Sequence, residues 1–83
     1  MNKSEVLGDI INILKDIFDS ENLNITEQTS AEDIDDWDSL AHIRIIVALS
    51  SKFKVELTIT EMADVHDVGS MVELVLSKLL NID

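Results

Sequence analysis

Apolar residues at helical spacing run through most of this chain of 83 residues. Side chains at positions i, i+3, i+4 and i+7 share one face of an α-helix, and this pattern predicts helices over about residues 3–18, 39–53 and 68–80. In the middle stretch the predicted buried face comprises Ile43, Ile46, Leu49 or Ser50, and Phe53, widened by Ile45 and Val47. In the last stretch it comprises Val68, Met71, Val72, Val75, Leu76, Leu79 and Leu80.

Short polar patterns predict where two of the helices begin. Asn2, followed by Glu5 three residues later, is typical of a helix start at which each side chain caps the backbone of the other residue. Thr58 and Glu61 repeat that spacing and predict a short helix near residues 59–64.

The predicted fold is a single all-α domain over residues 1–83, a small four-helix bundle with a short third helix and a long loop after the first helix. Apolar alternation over residues 55–59 is typical of a strand, but one short strand would have no partner. Pro is absent and Gly occurs twice, which disfavours a turn-rich β sandwich. Asp67 is predicted to cap the last helix. The loop over about residues 19–38 is long for so small a domain, and such loops are often functional.

Composition excludes several classes of function. The absence of Cys excludes disulfides, thiolate metal sites and Cys nucleophiles. The net charge of −11 repels phosphate backbones, so we expect no nucleic-acid binding. No apolar run reaches the length of a membrane span, and the first residues lack the apolar core of a signal peptide. We therefore expect a cytoplasmic monomer that does not bind membranes.

A run of nine acidic residues without a single basic residue lies between Lys15 and Arg44. These acids are Asp16, Asp19, Glu21, Glu27, Glu32, Asp33, Asp35, Asp36 and Asp38. Such a run is typical of a solvated loop, but this one ends at a predicted helix start, which favours a function. A calcium-binding loop beginning at Asp33 needs Gly at its sixth position and Glu at its twelfth. The chain has Asp38 and Arg44 there, so we expect no metal site.

The segment Asp36-Trp37-Asp38-Ser39-Leu40 is the most informative part of the chain. Asp38 is a favourable N-cap residue, which puts Ser39 at the first helical position. Backbone N–H groups are unpaired there and the helix dipole is positive, so a phosphoester on Ser39 would lie where a helix end best tolerates an anion. The alternative is that the two side chains only cap a helix.

The helix start at Asp38-Ser39-Leu40, in the middle of an acidic helical chain, resembles the acyl carrier protein family. The similarity covers nearly the whole length and includes the long first loop and the segment Phe53-Lys54-Val55-Glu56-Leu57. It also includes residues 67–72, which are similar to the family's entry to its last helix. The three-letter motif alone is common by chance, whereas the motif together with this helix order and chain length is fairly specific.

The resemblance implies a covalent prosthetic group. Ser39 would carry a 4′-phosphopantetheine arm through a phosphodiester, attached by a phosphopantetheinyl transferase that uses coenzyme A. The terminal thiol would hold an acyl group as a thioester, which fits the absence of Cys from the chain. The chemistry would be done by partners, namely an acyl-loading ligase or acyltransferase and a synthase or other acyl-processing enzyme. The chain itself would not be an enzyme, and fatty-acid or polyketide biosynthesis is the implied setting.

Two further sets of residues follow from the resemblance. The expected docking residues for partners are Asp35, Asp36, Asp38, Leu40, Val47, Glu61 and Asp64. The positions that match the lining of an acyl chain folded back between the helices are Ile45, Leu49, Leu57, Met62, Val65, Val68 and Met71, for which ordinary core packing is the alternative. Arg44 stands on the second helix where an acid is usual in the family, so acidic contacts are expected from residues before and after that helix.

Parts of the sequence also suggest other chemistries and functions. Ser39 and His42 are three residues apart on one helix face, which is a possible arrangement for a nucleophile and its general base. However, the sequence shows no acid to orient the histidine and no oxyanion loop. His42 is predicted to be a half-exposed surface residue, and His66 part of the turn before the last helix. An acidic interaction module that is never modified is one alternative function. The Trp before the motif is similar to that of stand-alone carriers of specialised pathways. This resemblance implies another alternative, an aminoacyl or hydroxyacyl carrier of a polyketide, nonribosomal peptide or polysaccharide pathway.

Overall fold

The computed structural model describes residues 2–20 and 23–80, so Glu21 of the acidic run lies outside the described residues. The elements are α1 (Lys3–Ile17), one turn of 3₁₀ helix (Ala31–Asp33), α2 (Ser39–Phe53), α3 (Ile59–Ala63) and α4 (Val68–Leu80). The described residues contain no strand beyond an isolated bridge between Ser30 and Asp67. The predicted all-α fold is therefore confirmed, with every helix end within one residue of its predicted position.

Side chains cap the first and third helices as the sequence predicts. The Asn2 side-chain oxygen accepts a hydrogen bond from the Glu5 N–H at 2.8 Å, and Glu5 accepts one from the Asn2 N–H at 3.4 Å. Thr58 and Glu61 make the same reciprocal pair, with both hydrogen bonds at 3.1 Å. These bonds satisfy N–H groups that have no partner inside the helix, which is why the helices begin at these residues.

The core is mainly aliphatic and lies between the three long helices, since α1 packs against both α2 and α4. Every fully buried large side chain comes from a helix: Val6, Ile10, Leu14, Ile45, Leu49, Met62, Val68, Met71, Val72 and Val75. The short α3 contributes only one of them, Met62. This helix therefore adds little to the core and lies over the edge of the bundle near the start of α2.

The long loop is fixed to the first turn of α4 by backbone hydrogen bonds. The N–H of Val68 donates to the Thr29 carbonyl at 2.9 Å, and the N–H of Gly69 donates to the Glu27 carbonyl at 2.9 Å. Both N–H groups belong to the first turn of a helix, where no intrahelical acceptor exists. The loop thus supplies the missing acceptors and is tied down at its middle.

Asp67 caps α4, as the sequence predicts. Its Oδ1 atom accepts hydrogen bonds from both the N–H and the hydroxyl of Ser70, each at 2.7 Å. These two bonds lower the pKa of the Asp67 carboxyl below its ordinary value of 3.8, because they stabilise its ionised form.

Three residues predicted to be buried are exposed, and those predictions are wrong. Ile43 is 47% exposed and Val47 is 63% exposed, because the buried side of α2 is centred on Ile45 and Leu49, and the five-residue α3 does not cover the neighbouring stripe. Leu80 is 84% exposed as the last residue of α4. None of the described helices combines the length and the apolar character needed to cross a bilayer.

The two glycines are expected to respond differently to substitution by Ala. Gly8 is exposed in the interior of α1, and an added Cβ would meet nothing within 4 Å. Gly8→Ala should raise the free energy of unfolding by about 0.5–1 kcal/mol, since Ala has less backbone entropy to lose. At Gly69 the added Cβ would lie 3.2 Å from the Glu27 carbonyl oxygen, so Gly69→Ala should lack that gain.

Urea unfolding of both variants and of the parent chain in one buffer measures the difference. An equal gain for the two variants would contradict the close approach of the loop to α4 at Gly69.

Candidate functional site

The loop ends and α2 begins at Asp38. Its backbone is extended, with φ −102° and ψ −171°, while its side chain accepts a hydrogen bond from the Ala41 N–H at 2.9 Å. The Asp38 carbonyl accepts the N–H of His42 at 2.9 Å, which closes the first turn of the helix. Asp38 is therefore the predicted N-cap, and Ser39 is the first helical residue.

Ser39 is exposed at this helix start. The backbone N–H groups of the first turn of α2 point toward the end of the helix that carries Ser39, and they place partial positive charge there. An anionic oxygen attached to the Ser39 hydroxyl would lie in that favourable field. The exposure leaves the hydroxyl accessible to a second protein.

An open apolar cleft of about 480 Å³ borders Ser39. Its lining comes from the 3₁₀ turn, the end of the loop, α2 and α3, and comprises Ala31, Trp37, Asp38, Ser39, His42, Ile43, Ile46, Ile59 and Ala63. Six of these nine residues are apolar. The arrangement is chemically suited to an apolar group tethered at Ser39, and the sequence did not predict this set of lining residues.

A hydrogen-bonded histidine connects the walls of the cleft. The Trp37 indole Nε1–H donates to Nδ1 of His42 at 3.1 Å, and Nε2 of His42 lies 3.2 Å from the carbonyl oxygen of Met62 in α3. Trp37 also packs against Phe18 at the end of α1, with ring centroids 5.8 Å apart. His42 is half-buried, as predicted, but its bonds to two other parts of the chain were missed by sequence reasoning.

Most of the predicted docking residues lie on the surface around the start of α2. Asp35, Asp36, Asp38 and Asp64 are exposed, and Leu40 and Val47 are 60% and 63% exposed. The helix itself contains no acid from residue 39 to 53 and instead exposes two basic side chains, Arg44 and, in its last turn, Lys52. The negative charge is therefore concentrated before α2, and its exposed stripe is apolar.

Glu61 differs from the other predicted docking residues because it is half-buried and has a cationic partner. Its carboxylate pairs with the Lys78 ammonium of α4. The hydrogen bond from Lys78 and the one from the Thr58 N–H lower the pKa of the Glu61 carboxyl below its ordinary value. Much of its charge is thus compensated within the chain.

The residues predicted to line an acyl chain lie in the core. Six of the seven are buried, and Val65 is half-buried. None of the seven lines the cleft beside Ser39. Their neighbours in the sequence, such as Ile46 and Ala63, do so.

Two other chemistries find no support at this site. Both ring nitrogens of His42 are directed at Trp37 and Met62, so this histidine is not arranged as a base for the Ser39 hydroxyl. Across residues 2–20 and 23–80 there is no group of three or more His, Asp or Glu side chains that would hold a metal ion.

Comparison with known proteins gives one family match and a similar solved structure. The family described as "Phosphopantetheine attachment site" matches residues 8–75, a span that includes the whole cleft. The solution NMR structure of a holo acyl carrier protein from Geobacter metallireducens has 36% sequence identity and a TM-score of 0.83. The similarity covers 90% of this chain and 86% of that one. No curated protein matches the chain.

The Asp38 cap is expected to contribute measurably to stability. Asp38→Ala removes the acceptor of the Ala41 N–H and should lower the free energy of unfolding by about 1 kcal/mol. Asp38→Asn keeps a side-chain oxygen in the same place and should lose much less, because Asn is an equally good N-cap residue.

Urea unfolding of the two variants checks this. If the Asn and Ala variants were destabilised equally, the helix start would not depend on a side-chain acceptor at residue 38.

Proposed function

The chain belongs to the acyl carrier protein family, and we propose that its prosthetic group, 4′-phosphopantetheine, is attached to Ser39. The observation that carries this proposal is the position of Ser39, exposed at the first position of α2 and at the edge of an apolar cleft. The other exposed serines of the described residues lack this combination: Ser4 is near the start of α1, Ser51 lies in the last turn of α2 and Ser77 lies in α4, and none of them lines the cleft.

The residues present fit a phosphodiester-linked arm. The anionic phosphodiester would lie beside the N–H groups at the start of α2, which favour negative charge. The one carboxylate that lines the cleft with Ser39, that of Asp38, already accepts the Ala41 N–H at 2.9 Å. When bound, the group supplies a thiol that forms thioesters with acyl groups. The chain supplies the attachment oxygen and an apolar surface next to it.

The cleft favours an acyl group over an aminoacyl group as the cargo. Its lining is mostly apolar, and its one charged residue, Asp38, has its carboxylate bonded to a backbone N–H. Moving a charged amine onto the apolar part of this lining would cost free energy, whereas each buried methylene of an acyl chain contributes up to ~0.8 kcal/mol. We therefore propose that this chain carries acyl intermediates. A ligase or acyltransferase would load them, and acyl-processing enzymes would use them. Ile45, Leu49, Leu57, Met62, Val65, Val68 and Met71 would line the path of a longer chain into the core.

Coexpression with a phosphopantetheinyl transferase of broad specificity tests the attachment site. Intact-mass spectrometry of the wild-type chain should give one added phosphopantetheine, and Ser39→Ala should give none. Ser4→Ala and Ser51→Ala are matched controls, because they remove exposed serines near a helix start and on the same helix. Both should be modified like the wild type.

A wild-type chain that stays unmodified with several transferases would support the unmodified interaction module instead. Modification of the Ser39→Ala chain would place the group elsewhere and contradict the proposal.

We further propose that partner enzymes dock on a surface beside Ser39, which we call the docking face. It comprises an exposed apolar stripe of α2, Leu40, Ile43 and Val47, and two acids of the loop, Asp35 and Asp36. Ile43 and Val47 follow Leu40 by three and seven residues, so the three lie along one side of α2. Asp38 and Asp64 add negative charge near it, while Glu61 contributes less because of its pairing with Lys78. A partner that fits combines an apolar groove with basic residues at the rim that faces the loop.

The charged and apolar parts of the docking face should respond differently to salt. Replacing both Asp35 and Asp36 by Asn should lower the transferase kcat/KM at low salt by roughly two- to fivefold per carboxylate, and the loss should shrink as salt is added. Val47→Ser should lower kcat/KM at every salt concentration, because its contact is apolar.

The matched control is the pair Glu56→Gln and Glu73→Gln, which makes the same change in net charge. Both residues are exposed, Glu56 lies beyond the C-terminal end of α2, and Glu73 pairs with Lys3 at the far end of α1. Equal losses in the control pair and in the Asp35/Asp36 pair would show that only net charge matters and would overturn the docking face.

A further inference from the structure

His42 is the only side chain among the described residues that hydrogen-bonds to two other segments around the cleft. It lies one turn into α2, three residues after Ser39. Its Nδ1 atom is 3.1 Å from Trp37 Nε1 in the loop, and its Nε2 atom is 3.2 Å from the Met62 carbonyl oxygen in α3. The centroids of the Trp37 and His42 rings lie 6.2 Å apart with the ring planes at 30°, so the two rings meet edge to edge, as the hydrogen bond between them requires.

The chemistry of the two partners fixes the state of the imidazole. An indole N–H is a donor only, so Nδ1 of His42 must accept and carry no proton. A backbone carbonyl is an acceptor only, so Nε2 must carry the proton and donate it to Met62. Both bonds form at once only in the neutral imidazole with its proton on Nε2.

We propose that His42 is a positioning residue that holds Trp37 in the wall of the cleft at Ser39, and that protonation of His42 releases Trp37. A proton on Nδ1 would set an N–H group against the indole N–H, and that hydrogen bond would be lost. The bond from Nε2 to the Met62 carbonyl would persist, so the change is confined to the loop side of the cleft. The effect on Ser39 rests on the proposed function, whereas the histidine bonds are a property of the unmodified chain.

The charged groups around His42 leave this arrangement in place. Those on the elements around the cleft are Glu32 and Asp33 in the 3₁₀ turn, Asp35, Asp36 and Asp38 before α2, Arg44 on α2, Glu61 on α3 and Asp64 directly after it. Of these only Asp38 lines the cleft with His42, and its carboxylate accepts from Ala41. Because Nε2 already carries a proton and bonds to the Met62 carbonyl, an added proton must bind Nδ1. There it faces the Trp37 indole N–H rather than a carboxylate.

The chain offers a simple way to observe this, since it contains one Trp and two His residues. The His66→Gln variant leaves His42 as the single histidine, and His66 is exposed in the turn before α4. In this unmodified variant, nitrogen-15 NMR of the ring at about pH 8 should give the Nε2–H tautomer. Acidification to about pH 5 should shift the Trp37 indole resonance and the tryptophan emission in one single-proton transition.

His42→Phe provides the comparison, because it keeps an aromatic ring and removes both nitrogens. In that variant the transition should vanish, and at about pH 8 the indole hydrogen should exchange about fivefold faster, as expected for the loss of one hydrogen bond. The ratio of transferase kcat/KM for wild type to that for His42→Phe should fall toward one as the pH is lowered.

An Nδ1–H tautomer at the higher pH, or a transition that persists in His42→Phe, overturns the proposal. A ratio of kcat/KM that does not change with pH overturns the positioning role at Ser39. If His42→Phe does not fold, the tautomer and the titration of the His66→Gln chain still test whether His42 holds Trp37. Ser39→Ala should leave the titration unchanged. The titration therefore tests the histidine bonds independently of whether the prosthetic group is attached to Ser39.

Discussion

The hydrogen bond from the Ala41 N–H to the Asp38 carboxylate fixes where α2 begins, and the position of Ser39 depends on that point. A start one residue later would make Ser39 the cap, with its hydroxyl bonded to the backbone rather than exposed. With the cap at Asp38, Ser39 is the first helical residue, next to the N–H groups that favour an anion. One local hydrogen bond therefore determines which oxygen the chain presents.

The long loop packs beside the start of α2 and is held by contacts with the helices. At its middle, Thr29 and Glu27 supply carbonyl acceptors to the first N–H groups of α4. At its end, Trp37 is held between Phe18 of α1 and His42 of α2. The loop is thus attached to three helices, and it forms one wall of the cleft beside Ser39.

The helices and their ends could be predicted from sequence because their causes are local. The capping pairs of Asn2 with Glu5 and of Thr58 with Glu61 lie three residues apart and form their bonds inside one turn. The exposure of Ile43 was missed because it depends on how far α3 extends over α2. The His42 bond to Met62 joins residues 20 positions apart, and periodicity carries no information about such a contact. The cleft was missed for the same reason, whereas the choice of Ser39 came from a short motif and its context.

Attachment of the arm at Ser39 is tested most directly by fragmenting the modified wild-type chain in a tandem mass spectrometer. The measurement assigns the added mass to one side chain without any substitution. We expect the whole of it on Ser39, in the peptide that spans the start of α2. Added mass on Ser4, Ser51 or any other residue would contradict the proposal that the arm is attached to Ser39.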